Sequence, residues 1–220
     1  MKTELPFSLQ ILNEFGIFAS LIGVAVDNSQ AGLTQFTSDQ YSEFSYSVCT
    51  SCNLDFNSKP GVALYKQAQL LFPSLKNASS LIGMKRNLLD FEPQGDGATK
   101  FLPIAALSHQ MVSPRYTHKQ WQARVELSQS RNFASFCYIE NNSCVASISL
   151  FVGEENRGAL FDVWVAEELR GRGLGKIMLD AALKHLVALS VNICVVQALA
   201  LSARFYEANR FEHECFMTCG

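Results

Sequence analysis

Residues 163 to 176 contain the segment that decides the fold, and they read Val163-Trp164-Val165-Ala166-Glu167-Glu168-Leu169-Arg170-Gly171-Arg172-Gly173-Leu174-Gly175-Lys176. The apolar start predicts the end of a strand, the acidic residues a short turn, and the alternating glycines a loop that opens directly into a helix. Glycine lets a loop backbone direct its N–H groups toward one point, and a helix N-terminus adds about half a positive charge there. Together with the three cations that follow the turn, the segment predicts an anion site suited to a diphosphate.

Two common phosphate-binding loops do not fit this segment. A P-loop needs Ser or Thr directly after its Gly-Lys pair, whereas Gly175-Lys176 is followed by Ile177. The dinucleotide fingerprint G-x-G-x-x-G lacks its third glycine, because Ile177 and Met178 lie around that place. A plain flexible turn is the remaining alternative, and the flanking strand and helix disfavour it.

The segment lies within a region of regular pattern. The patterns predict a short strand over 101–107, a helix over 116–131, an antiparallel meander of strands over 133–139, 144–152 and 159–165, and a helix over 173–189. They continue with an apolar strand over 193–198 that runs parallel to the third one, a helix over 202–209 capped by Ser202, and a last strand over 211–218. Strands and helices that mix without strict alternation indicate an α+β fold.

The composition is that of a folded protein without a general affinity for polyanions. Of the 220 residues, 48% are apolar and 17% charged, and the mean hydropathy is +0.08, which excludes a mainly disordered chain. A net charge of −2 and an isoelectric point near 6.1 give no global basic field for nucleic acid or an anionic membrane. The apolar run at residues 15–26 is too short to span a bilayer, and we interpret it as a buried element.

Seven cysteines indicate a reduced, cytoplasmic protein rather than a disulfide framework. Their number is odd, and several lie within apolar runs, such as Cys137, where cysteine acts as a small hydrophobe. Cys49 and Cys52 have the C-x-x-C spacing, but the nearest second pair, Cys215 and Cys219, has three residues between its members. We therefore predict a structural or incidental role and no metal, with zinc and redox roles as alternatives.

Two segments resemble the GNAT family of acyl-CoA N-acyltransferases. Residues 170–175 match its R-x-x-G-x-G/A signature, and residues 202–211 are similar to its late A-x-x-[F/L]-Y-[E]-x-x-G-F segment. The order of predicted elements from about residue 116 to residue 220 is similar too. The resemblance implies a GNAT-like fold for this region, with a mixed, mostly antiparallel central sheet flanked by helices, and it implies acetyl-CoA as cosubstrate.

The resemblance also implies how the chain would hold acetyl-CoA. Backbone groups of Val163 and Val165 would pair with the pantetheine arm like an added strand, because a splayed strand edge offers unpaired N–H and C=O groups. The pyrophosphate would be held by the loop amides and the cation that follows them, namely Arg170, Gly171, Arg172, Gly173, Leu174, Gly175 and Lys176.

The catalytic residues follow less directly from the resemblance. Tyr206 matches the family's general acid, whose hydroxyl protonates the leaving CoA thiolate, and a core tyrosine is the alternative. Phe161 stands where many members carry a glutamate as base. Strand alternation places Asp162 on the other face from Phe161, so we predict that Asp162 bonds a loop backbone. The base stays open among Asp162, Glu140, a residue of the N-terminal half, and water.

The chain departs from the family pattern at two places. Arg210 replaces the usual glycine before Phe211, and one strand follows Tyr206 where the family usually has two. The N-terminal half can cover the sheet edge left free in this way. We therefore predict an N-terminal half over residues 1–112 and an acetyl-CoA-binding domain over residues 113–220. The half is either sheet-completing or a degenerate GNAT-like copy, since residues 63–72 echo the segment around Tyr206; coincidence on an amphipathic helix is the alternative.

These observations predict a cytoplasmic N-acetyltransferase that moves an acetyl group from acetyl-CoA to a primary amine. Transfer is direct, in a ternary complex, because no cysteine has both a basic group and a histidine beside it in the sequence. The acceptor is a small molecule or a peptide, neither nucleic acid nor a membrane is a partner, and a homodimer stays open. The alternative is a non-catalytic acyl-CoA-binding sensor or regulatory module, for which Phe161 in place of an acid is the reason.

Overall fold

The computed structural model describes Glu14 and residues 25–30, 33–37, 46–50, 79–92 and 101–219, with the backbone alone for residues 25–30, 33–37, 46–50, 79–80, 200 and 215–219. In chain order the described elements are β1 (Ala25–Gln30), β2 (Leu33–Thr37), β3 (Tyr46–Thr50), β4 (Ser79–Asn87), β5 (Phe101–Pro103), α1 (His109–Val112), α2 (His118–Leu127), β6 (Phe133–Glu140), β7 (Ser143–Val152), β8 (Arg157–Val165), α3 (Leu174–Ala188), β9 (Ile193–Leu199), α4 (Ala200–Ala208) and β10 (Glu212–Cys219). Two 3₁₀ helices cover Ile104–Ala106 and Glu167–Leu169. None of the described helices is long and apolar enough to cross a membrane.

The chain forms two compact units. The first comprises Met1–Arg86 and Val195–Gly220, and the second comprises Asn87–Cys194. The sequence predicts a different boundary, between residues 112 and 113, where the acetyl-CoA-binding domain would begin. That boundary stays a prediction. Cys52 and the segment at residues 63–72, which the sequence suggested to be a degenerate copy, lie outside the described residues.

In the first unit, the last strand lies between two strands of the N-terminal half. β10 pairs antiparallel with β3, where Met217 is opposite Thr50, and with β4, where Phe216 is opposite Ile82. β3 pairs in turn with β2, and β2 with β1, again antiparallel. Both edges of β10 are therefore paired within this unit. The role of residues 1–112 in completing the sheet of an acetyl-CoA-binding domain stays a prediction.

The second unit contains the predicted antiparallel meander. β6, β7 and β8 follow one another in the sheet, and β5 adds a fourth strand beside β6. The β6–β7 turn is formed by Asn141 and Asn142, both at positive φ, as a two-residue hairpin turn requires. β5 ends at Pro103 instead of continuing to residue 107, because proline cannot donate to a strand ladder and the chain enters a 3₁₀ helix there.

Helices cover both faces of this meander. Adjacent residues of β6 point to opposite faces: the ring of Phe136 lies 5.2 Å from the ring of His185 in α3, whereas Cys137 packs in a buried cluster with Tyr116 and Val112. α3 buries its apolar stripe of Met178, Leu179, Ala182, Leu183 and Leu186. The predicted α+β fold, with a mostly antiparallel sheet flanked by helices, is confirmed.

Two helix starts differ from the prediction. α2 begins at His118 rather than at Tyr116, because the Thr117 hydroxyl accepts the N–H of Gln120 while the Gln120 side chain accepts the N–H of Thr117. α4 begins at Ala200, directly after β9, so Ser202 lies inside the helix and is not its N-cap. Leu199 occupies that position with an extended backbone and no side-chain cap.

We predict that a fragment starting at Ser113 is insoluble or unfolds without cooperativity. Removal of residues 1–112 deletes β3 and β4 and therefore leaves both edges of β10 unpaired, which favours aggregation. Thermal unfolding followed by circular dichroism, with the full chain as control, measures the effect. A soluble fragment with a sharp unfolding transition would contradict the prediction.

Candidate acyl-CoA site

Strand β8 carries a β-bulge close to its end. Phe161 pairs with Ser149 of β7 and Trp164 pairs with Ser147, so two residues of β8, Asp162 and Val163, oppose a single residue of β7. Asp162 has φ 52°, in the left-handed region. That conformation costs a non-glycine residue about 1–3 kcal/mol, so the surrounding structure must hold it.

The bulge brings Asp162 to the same face of the sheet as Phe161. Phe161 shares a face with its partner Ser149 and therefore with Ser147. The Ser147 hydroxyl accepts a hydrogen bond from Nε of Arg115 at 3.3 Å, and the same guanidinium pairs with the Asp162 carboxylate. The prediction that Asp162 lies on the other face is wrong, because the extra residue resets the alternation of the strand.

The Asp162 carboxylate is surrounded by side-chain donors. It accepts from Nη2 of Arg115, from Nη2 of Arg124 at 3.0 Å and from the hydroxyl of Tyr116 at 2.5 Å. Burial and the adjacent carboxylate raise the pKa of Tyr116, so this tyrosine stays protonated and donates. The predicted bond from Asp162 to a loop backbone is therefore wrong, and a carboxylate that already accepts three donors is poorly suited to act as a base.

The sequence patterns did not predict this cluster, although one residue pointed to it. Arg124 lies three residues before Leu127, on the buried stripe of α2, and only 5% of its side chain is exposed. An arginine on an apolar stripe predicts a buried counter-ion, because a buried charge is costly unless it is paired. Which carboxylate pairs with it depends on the bulge, and the sequence does not reveal that.

Beyond the bulge, β8 turns alternate peptide groups away from β7. The N–H of Ala166 donates to the carbonyl of Val145 at 2.8 Å, so the peptide groups of Val165 and Val163 face the opposite edge. Nε of Arg170 donates to the carbonyl of Val165 at 3.1 Å. This exposed bond occupies one of the backbone groups that the resemblance assigns to pantetheine.

The glycine-rich loop leads from β8 to the first turn of α3. Gly171 has φ 76° and Gly173 has φ 82°, and Gly173 is the N-cap of the fifteen-residue helix. Within the described part of the chain, a Cβ added at either glycine would meet no atom within 4 Å. The N–H groups of Leu174 and Gly175 have no acceptor within the helix, because they belong to its first turn. The accessible backbone of the loop therefore lies at the N-terminus of α3, which carries a partial positive charge.

Charged side chains around the loop are exposed. The cations are Arg170, Arg172 and Lys176. The preceding 3₁₀ helix carries two negatively charged residues, Glu167 and Glu168. Exposed charges are strongly screened by salt, so an anion at this loop would be held mainly by the backbone.

Tyr206 belongs to the first unit, where it is buried. It is 5% exposed, and its ring lies 5.1 Å from the ring of Phe205 and 5.5 Å from that of Phe211. Arg210, in place of the family's glycine, adopts φ 63° directly after the helix. A positive φ is a conformation that favours glycine, and in this chain an arginine adopts it.

The cysteines with described side chains are unsuited to carry an acyl group. Cys137, Cys144 and Cys194 are free thiols and are fully or almost fully buried. A hydrogen bond with Cys144 and burial raise the pKa of Cys137, which disfavours its thiolate. In the part of the chain that the structure describes, no group of three or more His, Cys, Asp or Glu residues could hold a metal ion.

Comparisons with known proteins identify the family of the chain. The model of the acetyltransferase (GNAT) family matches residues 100–211, just over half of the chain, so the chain belongs to that family. A comparison with curated proteins gives no match.

Two solved structures share the fold along nearly the whole chain. One is a GNAT-family acetyltransferase from Novosphingobium aromaticivorans DSM 12444, with 13% identity, a TM-score of 0.52, and coverage of 95% of this chain and 93% of its own. The other is a GCN5-related N-acetyltransferase from Kribbella flavida, with 10% identity, a TM-score of 0.53, and coverage of 98% and 95%. At such low identity the likeness concerns the fold alone.

We predict that Gly171→Asn and Gly173→Asn each weaken CoA binding at least about tenfold, or about 1.4 kcal/mol. Asparagine tolerates the left-handed region, so the helix start survives, while its side chain fills the space that the pyrophosphate would need. Isothermal titration calorimetry with CoA measures the affinity, and thermal unfolding measures stability.

A matched control places asparagine at the other end of the same helix. Ser190 is exposed and has φ 63°, so Ser190→Asn places the same side chain at a left-handed position away from the loop. CoA affinity should be unchanged in this variant. Equal affinities in all the variants and the unaltered protein would exclude the loop as the pyrophosphate site.

Proposed function

We propose that the protein is an acyl-CoA-dependent N-acetyltransferase that moves an acetyl group from acetyl-CoA to a primary amine. The observation that carries the proposal is the combination, within the second unit, of a bulged strand, peptide groups of Val163 and Val165 that face away from β7, and an open glycine loop at a helix N-terminus. The acceptor amine belongs to a small molecule or a peptide.

The residues present fit the two polar parts of acetyl-CoA. The amides of residues 170–175 and the cation of Lys176 would hold the pyrophosphate, since the helix end supplies positive charge and the glycines leave room for close approach. The peptide groups of Val163 and Val165 would pair with the amides of pantetheine. In that complex the Arg170 side chain would give up the Val165 carbonyl and become available to a phosphate.

Acetyl-CoA supplies a thioester whose carbonyl carbon the amine nitrogen attacks. A C–N bond forms, the C–S bond breaks, and the departing thiolate needs a proton, for which Tyr206 is our proposed donor. Direct transfer is supported by the burial of Cys137, Cys144 and Cys194. The engagement of Asp162 by three donors leaves water or another residue to accept the proton of the amine.

We also propose the setting in which this reaction takes place. The acetyl-CoA-binding domain comprises residues 113–220, residues 1–112 complete its sheet, and the protein acts in the cytoplasm. Support for the sheet-completing role comes from the pairing of β10 with β3 and β4.

A second candidate function is a non-catalytic acyl-CoA sensor. Phe161 occupies the place of the usual glutamate, and the neighbouring Asp162 is engaged in ion pairs, so neither residue offers a free carboxylate for the amine. Acetyl-CoA turnover with a panel of amines, followed by release of the free thiol, separates the two functions. Tight CoA binding without thiol release on any amine would favour the sensor.

We predict that Tyr206→Phe lowers kcat by about 10²–10⁴-fold and leaves CoA affinity nearly unchanged. The substitution keeps the ring and its contacts with Phe205 and Phe211 but removes the proton donor for the thiolate. The lower end of that range is expected, because a CoA thiolate is a fair leaving group near neutral pH. Steady-state kinetics on an accepted amine measures kcat, and a wild-type rate would show that Tyr206 is a packing residue.

A further inference from the structure

The strained bulge of β8 is held from outside the strand. Asp162 could relax to an extended conformation if its carboxylate were released, since nothing in its own chemistry demands φ 52°. If the bulge relaxed, the residues after it would shift by one position in their pairing with β7. Each of these residues would then direct its side chain to the other face and its peptide group to the other edge of the strand. The peptide groups of Val163 and Val165 would then no longer both face away from β7.

The donors to Asp162 are themselves anchored. Arg115 also donates to Ser147 and lies with its guanidinium carbon 5.1 Å from the ring centres of both Tyr116 and Trp164. Arg124 donates to the carbonyl of Gln120 at 3.1 Å, and its guanidinium carbon lies 4.3 Å from the ring centre of Tyr116. The three donors are therefore preorganised before they meet the carboxylate.

We infer that Asp162 is a positioning residue for acyl-CoA, clamped by Arg115, Tyr116 and Arg124 so that the bulge presents the peptide groups of Val163 and Val165 to the pantetheine arm. The inference rests on the proposed function. It adds residues that lie outside 170–175 and 202–211, the two segments that resemble the family. It also gives Asp162 a role other than that of the base. α2 and the segment before it thereby fix the geometry of β8, although they contribute no group to the thioester.

The test uses Tyr116→Phe in the full chain. This change removes one donor to Asp162 but keeps the ring on which both guanidinium groups stack. We expect CoA to bind about tenfold more weakly. We expect amide hydrogen exchange at Ala166, whose N–H bonds Val145 directly after the bulge, to accelerate by a similar factor while exchange in β6 stays unchanged.

Tyr138→Phe is the matched control. Tyr138 lies on β6 of the same unit, and its ring contacts Phe101 at 5.4 Å, away from the Asp162 cluster. This variant should bind CoA and exchange at Ala166 like the unaltered protein. Asp162→Asn, which keeps the shape of the side chain and removes its charge, should give the larger effect on both measurements.

Each result decides the inference. Unchanged CoA affinity in Tyr116→Phe, or weaker binding without faster exchange at Ala166, would overturn the positioning role. Faster exchange spread evenly over the second unit, with a matching loss of thermal stability, would overturn it too, because the cluster would then be only structural. If the unaltered protein bound no CoA, the proposed function would fail together with the clamp. If the unaltered protein bound CoA and the variants bound it equally well, the clamp alone would fail.

Discussion

The ion pairs at Asp162 are the interaction that, in our proposal, fixes the geometry of β8 at the candidate site. One carboxylate, 16% exposed, joins a strand to a helix and to the segment that precedes that helix. Removing one partner from a buried ion pair typically costs about 3–5 kcal/mol, because the other charge is left without compensation. Arg124, the more buried partner, therefore needs Asp162 at this position, and the bulge of β8 is what brings the carboxylate within its reach.

The proposed anion site follows a different principle, since the groups we assign to it belong mainly to the backbone. The N-cap of helix α3 is a glycine, so no side chain caps the helix, and the loop before it is exposed. A polar capping side chain would satisfy the first N–H groups and fill the space above them. Glycine at this cap leaves both the hydrogen-bond donors and the room to an incoming anion. The exposed arginines can steer a ligand to this point, but salt weakens their contribution.

Within the first unit, strands of the N-terminal half pair with the last strand of the chain. β10 comes from the end of the chain and pairs on both sides with strands that precede residue 88. A strand with two unpaired edges is a template for aggregation, and pairing within the chain removes that hazard. This pairing gives the N-terminal half a structural role that requires no binding site of its own.

The sequence by itself determined the parts of the protein that depend on local pattern. The meander, the helix after the glycine loop and the order of elements from α2 to β10 follow from hydrophobic periodicity and turn residues, which neighbouring residues dictate. The family also followed from short motifs, because a glycine loop at a helix start needs particular residues at fixed spacing.

Only the tertiary structure decided the face on which Asp162 lies and the partners that hold it. A bulge depends on the register between two strands, and an ion pair across 38 residues depends on how a helix packs on the sheet. Alternation along one strand contains neither kind of information, so it placed Asp162 on the wrong face. The coverage of β10 lay between these cases: the sequence showed that a strand edge needed a partner, and long-range pairing decided which strands supply it.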